Sequence, residues 1–128
     1  MPKAIRVGTD CSGMEAPIQA LRKLRLAHHH CFSSDIDPYC RETILANYDP
    51  DLIFEDMSQR DESELPEIDL YVAGFPCQAF SSAGKRKGVK DDRGTLFWEC
   101  YKVIDHCRPD VFVLENVKGL LSIHEGDL

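Results

Sequence analysis

A chain of 128 residues with a formal net charge of −7, 43% apolar and 29% charged residues has the size and composition of one globular domain. The acidic balance disfavours a general polyanion binder, no apolar run is long enough to cross a bilayer, and Met1-Pro-Lys-Ala-Ile-Arg-Val7 contains no signal-peptide core. An intracellular protein that does not enter membranes is expected, and its six cysteines are expected as free thiols.

In chain order, Ile5-Val7 is expected to open as a strand. Ile18, Leu21 and Leu24 then recur at helical spacing. Ser12-x-x-Glu15 resembles a capping box, but a helix starting there would enclose Pro17, at a cost of roughly 3 kcal/mol, so a later start is expected. His28-His29-His30-Cys31 is too tightly spaced for the usual zinc sites, so no metal is expected, and the histidines read as a surface helix end.

Cys31-Ser33 reads as the second strand, and Asp37-Pro38 opens a second helix with Cys40, Ile44 and Tyr48 on one stripe. Leu52-Phe54 is the third strand. The acidic crossover from Asp56 to Glu67 is expected as a loop or one short helical turn. Leu70-Ala73 is the fourth strand. A last helix carries Leu96, Phe97, Cys100, Tyr101, Ile104 and Cys107 on one face and stops at Pro109, before a fifth strand, Val111-Leu114. The alternation predicts an α/β fold with a doubly wound, mostly parallel sheet in the order 3-2-1-4-5.

In such a sheet ligand chemistry gathers outside the carboxyl ends of the strands. Asp10-Cys-Ser-Gly13, Asp35-Ile-Asp37, Asp56-Met57, Gly74-Phe-Pro-Cys77 and Glu115-Asn116 lie just past those ends. Asp35 suits ribose hydroxyls and Ile36 an adenine face, while Asp56 can accept from the adenine amino group; equally, Asp35 or Asp37 is a helix cap and Asp56 a solvated loop acid. Strands four and five are neighbours, so Cys77 and Glu115 are expected to meet. Pro76 presents Cys77 at a defined angle, although a buried packing role is the commonest fate of a cysteine. Lys85, Arg86, Lys87, Lys90 and Arg93 crowd the next loop, a local positive patch suited to phosphate or simply solvated.

Gly74-Phe-Pro-Cys-Gln-Ala-Phe-Ser81, Arg93-Gly-Thr-Leu-Phe97 and Glu115-Asn-Val117 closely resemble three successive motifs of the DNA (cytosine-5) methyltransferases, in order and spacing, within a likeness running from about Arg6 to Leu121. The resemblance implies a Rossmann-like methyltransferase fold, S-adenosylmethionine as cofactor, and a target cytosine flipped from DNA, because C5 inside a stacked duplex cannot be reached. It gives Cys77 attack on C6 and Glu115 the grip on N3 and N4, for which the carboxyl group needs a proton and so a raised pKa. Cys11, Gly13 and Met14 correspond to the first cofactor loop, Asp35 and Ile36 to ribose and adenine contacts, Asp56 and Met57 to adenine contacts, and Pro76 and Leu96 to the methyl end. Ser81, Lys85, Arg86, Lys87 and Arg93 fall in the loop that closes over DNA, and Asn116 lies on the substrate side.

Two departures stand out. Where the family commonly shows several glycines, this chain keeps only Gly13, with Glu15 in the place of one, which bears on how closely a cofactor is held. The family also continues past Glu115-Asn-Val117 with a further strand motif, a target-recognition region and a closing segment. Residues 1-128 are therefore expected to be the N-terminal part of a catalytic domain, incomplete at the C-terminus, working with a complementary C-terminal segment or second subunit. The rival expectations are a cofactor- or partner-binding module without catalysis, and cytosine-5 methylation of tRNA; restriction-modification is one of several roles that fit.

Overall fold

The computed structural model describes residues 3–75 and 95–116. The strands are β1 (Ile5–Asp10), β2 (His28–Ser34), β3 (Leu52–Phe54), β4 (Leu70–Ala73) and β5 (Val111–Leu114), and the helices α1 (Ala16–Lys23), α2 (Pro38–Asn47) and α3 (Thr95–Cys107), with one 3₁₀ turn at Glu62–Glu64. All pairings are parallel and the order is β3-β2-β1-β4-β5. This is the doubly wound sheet that the alternating pattern predicts, and the 3₁₀ turn is the short helical turn expected in the acidic crossover.

Helix boundaries follow local chemistry. Pro17 falls in the first turn of α1, where a missing N–H leaves nothing unsatisfied. At its other end Arg25 adopts φ 57, its N–H donates to Arg22 O and the N–H of Leu26 donates to Leu21 O, both at 3.1 Å. That paired closure turns the chain back toward β2, and it swings Leu24 off the apolar stripe, leaving it 66% exposed. Asp37 caps α2 by accepting from the Tyr39 N–H at 2.8 Å, with Pro38 next. Arg108 at φ 48 closes α3 ahead of Pro109.

Side-chain alternation along the strands feeds two apolar clusters. Val7 packs with Ile18, Leu21, Ile44 and Tyr48 of the α1 and α2 segments. Phe32, Tyr71 and Ala73 pack instead with Cys100 and Val103 of α3. Tyr101, expected on the inner face of α3, is 54% exposed, and Val103 holds the buried position. The three histidines do not end a helix. They begin β2, paired with Ile5, Arg6 and Val7, so alternation turns His30 inward and leaves His29 exposed.

β1 and β2 slip register between Val7 and Gly8, so that Cys31 has no partner residue and Phe32 sits opposite Gly8. A Cβ at Gly8 would lie 2.2 Å from Phe32 Cε1, and Phe32 is fully buried. Glycine is required here by close approach. Gly8→Ala is expected to cost about 1–3 kcal/mol through overpacking, read as a lowered urea midpoint; an unchanged midpoint would show that the Phe32 ring can move aside.

Candidate functional site

The carboxyl ends of the five strands gather the predicted residues. After β1 the chain turns sharply through Cys11 at φ 51, Gly13 at φ 55 and Glu15 at φ 63. The turn leans on the end of β2, where the Gly13 N–H donates to Asp35 Oδ2 at 2.9 Å and the Ser12 N–H to Ser34 O at 2.8 Å. Because Asp37 is the cap of α2, Asp35 is left to face this loop. Asp56, after β3, accepts from the N–H and hydroxyl of Ser58 at 2.9 and 2.6 Å, a local turn that fixes its carboxylate.

A cavity of about 260 Å³ opens between these segments, lined by Cys11, Asp35, Ile36, Asp56, Met57 and Leu96 together with Ser34, Glu55 and Gly74. It brings together six of the nine residues assigned to the cofactor. Ile36 is 73% exposed and presents bare apolar surface at the cavity. Gly13 reaches it through its bond to Asp35, and Met14 lines a second cavity of about 320 Å³ beside Cys11, Gly74 and Glu115. Pro76, Cys77, Ser81, Lys85, Arg86, Lys87 and Arg93 lie outside the described residues.

Adjacency of β4 and β5 sets Glu115 beside Gly74, the residue that leads to Phe75-Pro-Cys77. The Glu115 N–H donates to Ala73 O at 2.9 Å, and a Cβ on Gly74 would lie 3.1 Å from Glu115 Oε2. The bare glycine thus makes room for the carboxyl group. Asn116 donates to the carbonyl of Phe75 at 3.5 Å, tying the end of β5 to the same backbone.

The cysteines of the described residues, Cys11, Cys31, Cys40, Cys100 and Cys107, are free thiols. Burial is the main cause that raises each of them, with Cys11 and Cys100 pushed up to about 12. Each is held as the neutral thiol near pH 7, so none of the five is a ready nucleophile. His29, Cys31 and Asp51 place one potential metal-ligating atom each within 4.8 Å of one another, at the end of β2 remote from the cavities.

Sequence reasoning missed a buried clasp under the site. Arg60, in the crossover loop, donates from both terminal nitrogens to Asp10 at 2.7 and 2.5 Å, and the Tyr71 hydroxyl donates to the same carboxylate at 2.6 Å. The side chains of Arg60 and Asp10 are 5% and 0% exposed. The clasp ties the Asp56-Met57 loop to the end of β1. A signal existed, since Arg60 is the only basic residue between Asp56 and Glu67.

Comparison with known proteins bears on these assignments. Residues 10–128 match the profile of the C-5 cytosine-specific DNA methylases. The chain is 42% identical over 125 residues to the orphan methyltransferase M.SPRI of Bacillus phage SPR, covering 96% of this chain and 28% of that protein. It is 41% identical over 109 residues to the type II methyltransferase M.NgoBV of Neisseria gonorrhoeae, covering 85% and 26%. Among solved structures, the Dnmt2 methyltransferase of S. pombe superposes with a TM-score of 0.71 at 26% identity, covering 93% of this chain and 38% of that one. The chain spans between a quarter and a third of the length of these curated relatives. No helix among the described residues is long and apolar enough to cross a membrane.

Proposed function

We propose, from the fact that the chain belongs to the C-5 cytosine-specific DNA methylase family, that the protein transfers a methyl group from S-adenosylmethionine to C5 of a cytosine flipped out of DNA. The observation that carries this reading is the cavity bordered by Cys11, Asp35, Ile36, Asp56, Met57 and Leu96, with Glu115 over Gly74 beside it. Its donors and acceptors fit the cofactor. Asp35 offers carboxylate oxygen to ribose hydroxyls, Ile36 an apolar face to adenine, and Asp56 an acceptor for the exocyclic amine. When bound, S-adenosylmethionine supplies an electrophilic methyl group on sulfonium.

The chain's own groups prepare the base. Cytosine C5 is a weak nucleophile, and attack of the Cys77 thiolate on C6 turns the ring into an enamine whose C5 can accept a methyl group. Glu115 holds the base edge at N3 and N4, donating a proton to N3 as negative charge develops in the ring. Once C5 is substituted, loss of its proton to a base, departure of the Cys77 sulfur from C6 as thiolate and return of the N3 proton to Glu115 restore a neutral aromatic ring. In each of the five described cysteines desolvation raises the thiol pKa and so disfavours the thiolate.

We assign the activity to a protein completed by a further carboxy-terminal segment or subunit. Val111, Phe112 and Val113 on β5 are each about half exposed, and among the described residues β5 pairs only with β4. An apolar strand edge of this kind calls for a covering strand or segment, and that further part also carries target recognition and contact with DNA.

The test is labelled methyl transfer by the full-length protein, run in parallel on DNA and tRNA. Label recovered from DNA as 5-methylcytosine is expected. Label in tRNA alone would move the substrate to RNA, and label on an exocyclic amine would overturn the mechanism. Cofactor binding with no transfer to either polymer would leave a binding module.

A further inference from the structure

The first loop carries a glutamate in a backbone conformation that glycine takes most easily. Glu15 has φ 63 and ψ 48, in the left-handed region that penalises a Cβ, yet the residue is 0% exposed. Two hydrogen-bonded arms converge on its carboxyl group. In the first, the Ser34 N–H donates to Ser12 Oγ at 2.8 Å, Ser12 Oγ lies 2.7 Å from Thr9 Oγ1, and Thr9 Oγ1 donates to Glu15 Oε1. Thr9 has one hydroxyl proton and gives it to the carboxyl group, so the Ser12 hydroxyl donates toward Thr9, whose Oγ1 lies at 2.7 Å and whose carbonyl oxygen lies at 3.3 Å.

In the second arm Ser33 Oγ donates to the same oxygen at 3.3 Å. With its own proton on Glu15, Ser33 accepts from His30 Nε2, 2.7 Å away, which assigns a proton to Nε2. Burial lowers the His30 pKa to about 4 and raises that of Glu15. Glu15 Oε2 stands 3.4 Å from His30 Nε2, and neither it nor His30 Nδ1 has a hydrogen-bond partner among the described residues. A buried carboxyl group with one oxygen doubly bonded and the other idle serves as an anchor for hydroxyls rather than as one half of an ion pair.

The anchored backbone reaches the cavity. The Glu15 N–H donates to Ser12 O at 2.8 Å, closing the turn whose Gly13 N–H donates to Asp35 Oδ2. We propose that Glu15 is a positioning residue for cofactor binding: its buried carboxyl group, held by Thr9 and Ser33, locks the Cys11-to-Glu15 turn so that Gly13 and Asp35 keep their receiving arrangement. The missing glycine is thereby replaced by a side chain that fastens the loop from inside. This rests on the assignment of the Asp35 cavity to S-adenosylmethionine.

The experiment compares Glu15→Gly, Glu15→Ala and Glu15→Gln in the full-length protein. Glycine tolerates φ 63 but removes the anchor, alanine removes the anchor and keeps the conformational penalty, and glutamine keeps an acceptor for Thr9 and Ser33. Affinity for S-adenosylhomocysteine, measured by calorimetry and corrected for the folded fraction, is expected to fall at least 10-fold in Glu15→Gly and Glu15→Ala and to stay within about 3-fold in Glu15→Gln, since tenfold corresponds to 1.4 kcal/mol of lost preorganisation. Amide exchange at Gly13 is expected to accelerate in the first two variants only. Wild-type affinity and wild-type Gly13 protection in Glu15→Gly would overturn the positioning role while leaving the cofactor reading intact. Failure of the wild-type protein itself to bind, with Gly13 protected, would overturn the cofactor reading and the proposal with it.

Discussion

Cys77→Ser in the full-length protein is expected to lower methyl transfer to DNA by a factor on the order of 10⁴ or more, as loss of a covalent nucleophile does. The size of the effect follows from the substrate. Without addition at C6 the cytosine ring has no route to a nucleophilic C5, and a serine hydroxyl near pH 7 is not an adequate substitute for a thiolate. The loss belongs in kcat, with the dissociation constant of the cofactor within about threefold of wild type, because the cofactor is assigned to the cavity lined by Asp35 and Asp56 and the thiolate to the base. DNA bearing 5-fluorocytosine gives a second readout, since a ring with fluorine at C5 has no proton to lose and stays joined to the enzyme. Wild-type protein is expected to form that adduct and Cys77→Ser to form none. An adduct that persists in Cys77→Ser would place the nucleophile elsewhere and overturn the assignment.

Arg60→Ala is expected to destabilise the fold by about 3–5 kcal/mol, the penalty for stranding one partner of a buried ion pair. Asp10, 0% exposed in the intact pair, would keep only the Tyr71 hydroxyl as a side-chain donor among the described residues. The guanidinium also stands 5.4 and 5.1 Å from the ring centres of Phe32 and Phe54, so alanine forfeits two cation–π contacts and opens a void. Removing both charges together is different. Asp10→Asn with Arg60→Met keeps an acceptor for Tyr71 and fills the space, and more than half of the lost stability is expected to return. Urea midpoints at constant slope measure both. A cost below about 1 kcal/mol for Arg60→Ala would show that water screens the pair, as it does for surface salt bridges.

Much of this architecture was legible because its signals are local and periodic. The spacing of apolar runs gives the strand order, Asp37-Pro38 marks the start of α2 through local capping chemistry, and the position of Pro17 places the start of α1. What escaped the sequence depends on partners distant along the chain. Arg60 and Asp10 are 50 residues apart, and nothing near either position announces the other. Histidines 28 to 30 carry weak strand propensity, and pairing with β1 overrides it. Leu24 and Tyr101 sit on helical stripes yet face water, because a closing turn removes one and Val103 takes the buried place of the other. Six of the nine residues assigned to the cofactor line one cavity because a parallel sheet gathers its strand ends on one side. Glu15 reads in the sequence as a lost glycine, and the partners that its side chain finds lie on two different strands, out of reach of any local pattern.

The half-exposed apolar row on β5 has a consequence for synthesis. While any chain that follows β5 is still being translated, at roughly 5–20 residues per second, the sheet can form before the part that covers its edge exists. Throughout that interval Val111, Phe112 and Val113 would face solvent uncovered. Yield of such a protein should therefore respond to chaperone supply and to translation speed more strongly than its final stability would indicate.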